Sequence, residues 1–391
     1  MTLTIGSLFS GYEGIGMAVE RLFNAVTVWV SDIDKGACKI LAHRAPNAVN
    51  IGDITKVDWS MVFPVDIITG GSPCQDISTA GKQVGMTEGT RSNLWVEMRE
   101  AIAVLKPSYV IWENVNAAKS TKAHSDMEPC SGCVGEDSPG SRTLRALGRV
   151  LGDLASLGYD AEWRSLRASD VGACHRRERV FVLAYAQGVR HERPGTARVG
   201  RSGPPNGSSP ARLTLLPTPM VTDTQITCPA DAKRKSPQLR AVASLLPTPR
   251  ATRGGSATET MRLLPTPSVA DATGGHERRG GKRSNEPLLK GLAKSPEWGK
   301  YKDAIERAED ALGRPAPSPV EDSPKGGTRL SPAFVEWMMG LPEGWVTDVP
   351  GITRTESLKA LGNGVVPAQA YAALADMLTC IPVANELEMA A

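Results

Sequence analysis

Short apolar runs alternate with helical stretches along much of the chain, and this order limits its fold more than any other feature. Strand-like runs fall at residues 3–9, 26–31, 65–70, 109–112 and 180–184, with helical stretches at 14–23, 35–44, 92–105 and 142–157. A strand followed by a helix returns to the sheet parallel to its predecessor, so the expectation is an α/β fold with a mainly parallel sheet and helices on both faces. In such sheets ligands bind beyond the carboxyl ends of the strands. The loops after the strands are therefore where chemistry is expected.

The first strand runs into Phe9-Ser10-Gly11-Tyr12-Glu13-Gly14. Missing side chains at Gly11 and Gly14 let the backbone approach a ligand closely, although a tight strand-to-helix turn without a ligand has the same composition. The second strand ends in Ser31-Asp32-Ile33-Asp34, which places a carboxylate where it can accept hydrogen bonds from both hydroxyls of a ribose. Asp53, after Asn50-Ile51-Gly52, is placed to take an adenine amine. Either aspartate is equally suited to capping a helix. A glycine turn with an acid at this spacing points to a nucleoside cofactor without saying which.

Gly70-Gly71-Ser72-Pro73-Cys74-Gln75 comes after the third apolar run and presents a cysteine on a strand-end loop. Its thiolate is a strong nucleophile if nearby cations or a helix N-terminus lower its pKa, whereas a buried structural cysteine is inert. The next strand ends in Trp112-Glu113-Asn114-Val115, so an acid sits on the neighbouring loop. Cys174-His175-Arg176-Arg177-Glu178-Arg179 then precedes the run at 180–184. Its guanidinium groups suit a phosphate or a base carbonyl, or simply reach solvent.

Charge and composition both change in one region. Residues 190–330 carry 24 Lys+Arg against 14 Asp+Glu, a net of +10, while the remaining 21 Lys+Arg and 28 Asp+Glu give −7. Residues 190–325 also hold 18 of the 29 prolines. The pentapeptide LLPTP occurs there three times, starting at Leu215, Leu245 and Leu263, with unequal spacings of 30 and 18. Unequal spacing argues against a stacked repeat fold, and two prolines per copy favour extended, polyproline-like backbone. Such a basic segment is a polyanion-binding module or a solvated insert.

Seven cysteines at irregular spacing do not form a disulfide framework, and no run of eighteen apolar residues or signal-like start is present. A reducing, cytoplasmic setting is expected, with no membrane association. Cys130 and Cys133 have the spacing of a zinc half-site, with His124 six residues earlier, but a second ligand pair is not evident beyond Cys174 or Cys228. No metal is expected to be needed for the chemistry.

Taken in order, these elements resemble the cytosine-5 DNA methyltransferase family of bacterial or phage type. Pro73-Cys74-Gln75, Glu113-Asn114-Val115, His175 to Arg179, and Gly362-Asn363-Gly364-Val365-Val366-Pro367 stand where the family has its hallmark segments. Arg329-Leu330-Ser331-Pro332 and Met339-Gly340-Leu341-Pro342 look like the element after its target-recognition region. The likeness covers residues 3–186 and 329–379. Glu13 stands where a glycine is usual, and His175 where a glutamine is usual.

The resemblance implies the Rossmann-like fold of AdoMet-dependent methyltransferases. The catalytic domain would comprise residues 1–188 plus 345–391, and a loop-rich target-recognition domain residues 189–344. It implies transfer of a methyl group from S-adenosylmethionine to carbon 5 of a flipped-out cytosine in a specific duplex DNA sequence, through a covalent Cys74 intermediate. Glu113, Arg177 and Arg179 are implied as the other catalytic residues. Phe9, Gly11, Gly14, Asp32, Ile33, Asp53, Asn363 and Val365 are implied as cofactor-binding, and residues 78–93 as a loop closing over the base. Double-stranded DNA is the implied partner, with a monomeric enzyme and a cognate restriction endonuclease in the same system. The alternatives are an RNA cytosine-5 methyltransferase and a non-catalytic DNA-binding relative. The long basic segment and the intact Cys74, Glu113 and Arg177 weigh against them.

Overall fold

The structure is a computed structural model and describes residues 2–72, 94–120, 122–123, 144–188, 262–272, 277–278, 288–293, 297–324 and 326–381. Several expectations lie outside these residues: Pro73-Cys74-Gln75, the loop at 78–93, the candidate zinc ligands His124, Cys130 and Cys133, and the first two LLPTP copies. The described residues belong to a unit formed by Met1–Glu192 and Met261–Ala391.

Eleven strands occur among the described residues: β1 (Leu3–Leu8), β2 (Ala25–Ser31), β3 (Val49–Asn50), β4 (Ile67–Gly70), β5 (Tyr109–Val115), β6 (Lys122–Ala123), β7 (Leu144–Arg145), β8 (Tyr159–Arg167), β9 (Glu178–Ala186), β10 (Val320–Asp322) and β11 (Thr328–Leu330). Seven of them form one sheet in the order β3-β2-β1-β4-β5-β9-β8. The first five are parallel, and β9 runs antiparallel to both β5 and β8. From β1 the chain proceeds outward to β2 and β3, then returns to the other side of β1 for β4. The order therefore reverses at β1/β4, the point where a crevice opens beyond the strand ends.

The α-helices are α1 (Gly14–Phe23), α2 (Lys35–Arg44), α3 (Trp95–Leu105), α4 (Ala146–Ser156), α5 (Leu289–Ala293), α6 (Lys302–Leu312), α7 (Pro332–Met338), α8 (Arg354–Asn363) and α9 (Pro367–Leu378). Strand side chains alternate between two cores, as the period of two requires. Ile68, Val110, Trp112, Val180 and Val182 pack with Trp95 and Met98 of α3 and Val150 and Leu154 of α4. Their neighbours Ile67, Ile111, Phe181 and Leu183 face the other way, onto Ala18 and Val19 of α1 and Ala373 and Leu374 of α9. Both faces are thus covered by helices, which a parallel sheet requires.

Strand β8 has no counterpart among the sequence expectations. Its residues Tyr-Asp-Ala-Glu-Trp-Arg-Ser-Leu-Arg are mostly half-buried, because β8 closes one end of the sheet and is solvated on its outer side. An edge strand carries polar residues and gives no apolar run to detect.

A third core joins the sequence-distant parts. Tyr12, Ile40, Ala168 and Cys174 pack with Leu264, Leu289, Ala304, Leu330, Phe334, Trp337 and Leu358. The last part of the expected recognition segment, from Leu264 onward, thus shares a core with the sheet-bearing region. Beneath it lies Glu336, whose Oε2 accepts from Gly344 N (2.8 Å) and Thr347 Oγ1 (3.0 Å) and whose Oε1 accepts from Thr347 N (3.0 Å) and Val346 N. One carboxylate thereby holds the loop at 344–347 in place. Glu336→Gln turns an acceptor toward those donors into an NH₂, so it is expected to cost about 2 kcal/mol. Denaturant unfolding should show a lower midpoint at unchanged slope. An unchanged midpoint would remove the carboxylate from this role.

Candidate active site

The ends of β1, β2, β4 and β5 surround a cavity of about 680 Å³. Its wall includes Phe9, Gly11 and Gly14 from the first loop, Asp32 and Ile33 after β2, and Asp53. Gly71 and Ser72 after β4, Glu113 at the end of β5, Arg179 of β9, and Asn363 and Val365 complete it. Every described residue expected at the cofactor or catalytic site lines this cavity except Arg177.

Asp34, not Asp32, takes the helix-capping role that the sequence left open for Asp32. Asp34 caps α2, accepting from Gly36 N (3.0 Å) and Ala37 N (3.3 Å), and pairs with Lys359. Asp32 caps nothing. Its Oδ2 accepts from Gly11 N (2.9 Å) and its Oδ1 from Asp34 N (2.9 Å), which fixes the carboxylate between the first two loops. Burial raises its pKa from the ordinary value, partly offset by these backbone donors. Asp53 caps the turn at Ile54–Lys56 through Thr55 N (3.2 Å) and still lines the cavity. Ile33 stands 70% exposed at this wall, an apolar surface with nothing packed on it.

Glu113 and Arg179 face each other at 2.9 Å (Oε1 to Nε). The pairing register explains why: Arg179 lies opposite Val115 in the β5/β9 ladder, two residues from Glu113 on the same face. Burial raises the Glu113 pKa, and Arg179 and then Arg177 pull it back down. Burial outweighs the two arginines, so the group holds its proton more tightly than an ordinary carboxyl. Next to it the start of the cysteine loop is anchored. Asn114 Nδ2 donates to Ser72 O (3.1 Å) and Trp112 Nε1 to Ser72 Oγ (3.1 Å), so the residue immediately before Pro73-Cys74 is fixed at the cavity wall.

Arg177, expected beside Glu113 as a catalytic group, directs its guanidinium elsewhere. Nη1 donates to Pro267 O (3.1 Å), and Nη2 donates to Gly362 O (3.0 Å) and Gly364 O. It holds the Gly-Asn-Gly wall of the cavity from behind. His175 is buried, and burial lowers its pKa to about 3, so it is neutral and its Nε2–H donates to Met338 O (3.0 Å). Cys174 is buried in the third core, and burial raises its thiol to about 12. Among the described residues no group of three His, Cys, Asp or Glu could hold a metal ion.

Sequence reasoning missed Tyr12. Its ring packs against Gly364, where an added Cβ would come within 1.9 Å of a ring carbon, and its hydroxyl donates to Val365 O (2.8 Å). Only the Gly-Asn-Gly spacing hinted that something packs so closely there.

Glu13 occupies the family's glycine position with φ of 67°, the left-handed region that explains why glycine is usual. Its carboxyl is buried over Gly16, where an added Cβ would meet Oε2 at 1.7 Å. The hydroxyls of Ser7 and Ser10 lie nearby, but Ser10 Oγ donates to Ser7 O (2.9 Å) and neither carboxyl oxygen gains a well-formed hydrogen bond among the described residues.

A sequence model of the C-5 cytosine-specific DNA methylase family matches residues 3–379. The chain belongs to this family. It is 31% identical over 220 residues to the type II methyltransferase M.NlaIV of Neisseria lactamica, covering 54% of this chain and 49% of that protein. It is 31% identical over 201 residues to M.Eco47II of Escherichia coli, covering 49% and 43%. A DNA N-6-adenine-methyltransferase of Escherichia phage P1 is 30% identical over 217 residues, covering 47% and 29%. The chain spans about half the length, or less, of these curated relatives. The Entamoeba histolytica methyltransferase EhMeth shares its fold at 14% identity and a TM-score of 0.52, over 97% of this chain and 99% of that one.

For this methylase-family chain, the buried acid at position 13 has a measurable signature. Burial raises the Glu13 pKa from 4.5 to about 7. The folded chain therefore holds that proton more tightly than the unfolded chain. Its stabilising contribution is complete below pH 4.5 and is lost as pH rises through 7, by on the order of 3 kcal/mol. Glu13→Gln is expected to flatten the stability profile between about pH 4.5 and 8. Parallel wild-type and variant profiles would exclude a raised pKa.

Proposed function

We propose that this chain is a DNA (cytosine-5-)-methyltransferase that uses S-adenosylmethionine and acts on a flipped-out cytosine in a specific duplex sequence. The observation that carries the reading is that Glu113, Arg179 and the Ser72 root of the cysteine loop open into the same cavity as Asp32 and the first glycine turn. An acid and a nucleoside-type wall in one space, with the cysteine loop starting from its edge, suit methyl transfer to a base.

The residues fit the cofactor. Asp32, held by two backbone donors, offers its remaining lone pairs to ribose hydroxyls, and exposed Ile33 offers an adenine ring dispersion contact. Asp53 would take the adenine amine, and Phe9, Gly11, Gly14, Asn363 and Val365 would enclose the rest. When bound, the cofactor supplies an electrophilic methyl group on its sulfonium.

Carbon 5 of cytosine is too weak a nucleophile to take that methyl group unaided. Attack of the Cys74 thiolate at carbon 6 makes carbon 5 carbanion-like. Glu113, hydrogen-bonding or protonating ring nitrogen 3, keeps negative charge off the ring, and its raised pKa suits this role. Arg179 would hold the base carbonyl while orienting Glu113. Arg177 acts behind them as a positioning residue through its carbonyl contacts. Loss of the carbon-5 proton to water and expulsion of Cys74 then restore the enzyme. A base is shielded inside a duplex, so it must be flipped out at a cost of a few kcal/mol.

We assign recognition of the duplex to residues 189–344, on the +10 charge of 190–330. Relatives named as type II methyltransferases make a cognate endonuclease the corresponding partner. The adenine methyltransferase name carries less weight, because the match spans 29% of that protein. No helix among the described residues is long and apolar enough to cross a membrane.

The test is expression in bacteria lacking cytosine methylation, followed by bisulfite sequencing. Wild type should place 5-methylcytosine in one short context, and Cys74→Ser should place none. Glu113→Gln should fold normally and lose about 10²–10⁴-fold in rate. Folded wild type that methylates RNA but not DNA, or neither, would overturn the reading.

A further inference from the structure

The mechanism above gives Glu13 no task, yet its carboxyl stands behind the wall of the same cavity. The side chain is 7% exposed and folds back over the first turn of α1, where Oε2 fills the space that Gly16 leaves by lacking a Cβ. Gly16 lines the cavity, and so do Ser7 and Ser10, whose hydroxyls lie beside the same carboxyl. A glycine and two serines carry little side chain to set between that carboxyl and a bound ligand.

Nothing on the protein side completes this group. Neither oxygen has a well-formed hydrogen bond among the described residues, and the carboxyl makes no capping contact with α1. The charges that act on it most, Glu20 and Asp32, are both negative. Glu20 Oε1 is taken by Thr27 Oγ1 (2.7 Å), and Asp32 by Gly11 N and Asp34 N. Strands β1, β2 and β4 carry no ionisable side chain. Helix α9, packed on α1, brings Tyr371, which lies under Arg21, and Asp376, which pairs with Arg164. A buried carboxyl among acids is stable as an ion only when a positive charge joins it, and here the cavity side is where one can arrive.

The cofactor reading above brings two positive charges into the cavity, a sulfonium and an α-ammonium. The methyl group on the sulfonium is used at the end bearing Glu113 and Arg179, and the adenosyl arm is assigned to Asp32, Ile33 and Asp53. The amino-acid arm remains, and the wall at Ser7, Ser10 and Gly16 is left to receive it. We propose that Glu13 is a cation subsite of this cavity, which pairs with the ammonium of the amino-acid arm of S-adenosylmethionine. The subsite rests on the cofactor reading and belongs to this chain in particular, because the glycine usual at this position has no charge to offer.

Proton linkage makes the pairing measurable. In the empty cavity burial keeps Glu13 protonated up to about pH 7, whereas an ammonium beside it favours the carboxylate, so binding releases the proton to the buffer. Protons compete with the ligand, and affinity therefore rises with pH until Glu13 is already ionised.

The experiment is titration calorimetry on the full chain, with S-adenosylhomocysteine, which keeps the ammonium and lacks the sulfonium. Heats measured at about pH 6 in buffers of different ionisation enthalpy count the protons released. Wild type should release more than half a proton, and its affinity should rise on the order of tenfold between about pH 5.5 and 7.5. Glu13→Gln should release none, show a flat profile and bind about tenfold more weakly at the upper pH. Glu13→Gly, which suits the φ of 67°, should do the same and decides if the glutamine variant fails to fold. 5′-Methylthioadenosine, which lacks the amino-acid arm, should bind wild type and variants alike without proton release. Release that survives in both variants overturns the subsite, as does equal release with 5′-methylthioadenosine. Binding of both ligands without any release overturns it too and leaves the cofactor reading standing. If neither ligand binds, the cofactor reading itself fails, and the subsite with it.

Discussion

The seating of Tyr12 on Gly364 is the constraint on which the rest of the site depends. Tyr12 comes from the first strand-end loop and Gly364 from the far end of the chain, and the two meet with ring against bare backbone. The hydroxyl then satisfies Val365 O, a carbonyl that burial would otherwise leave without a partner at a cost of about 1–3 kcal/mol. Trp345 Nε1 donates to Tyr12 O (3.0 Å) and continues the joint into the third core. The cavity therefore exists only when the two ends of the fold are assembled. Strand ends supply three of its sides and the segment at 363–365 supplies the fourth.

Behind that joint the charges are arranged by distance from solvent. Arg179 faces Glu113 at the cavity, where either partner can also meet a ligand. Arg177 is two residues away in sequence but points at three carbonyl oxygens, which need a cation that never releases a proton. Its own backbone sits at φ of 27°, so the turn before β9 rotates consecutive arginines toward different tasks. A neutral His175 beside them adds no third positive charge, and its one N–H is committed to Met338 O.

Much of this was legible in the sequence because the relevant signals are local. The parallel strands are apolar runs, the loops after them carry glycine, aspartate or cysteine, and helices α1 and α2 begin and end where periodicity places them. Legibility fails where a residue's role depends on a partner far along the chain. The hydroxyl of Tyr12 meets a residue 353 positions away, and nothing near it in sequence announces that contact. Asp32 and Asp34 are alike as sequence, and their roles separate only because Asp34 alone precedes the first turn of α2. Strand β8 escaped because an edge strand's polar face resembles a loop.

Arg177 links these two kinds of information. As a sequence feature it belongs with the arginines of a catalytic element, yet its hydrogen bonds run to Pro267 on one side and to Gly362 and Gly364 on the other. A buried guanidinium must satisfy several donors at once, and backbone carbonyls from two separate segments do so without a countercharge. The consequence is mechanical. A segment that continues from the basic region and the wall of the nucleoside cavity share one cation, so neither can shift without leaving buried N–H groups unpaired. A displacement of Pro267 is thereby felt at Gly364, next to Val365 of the cavity wall.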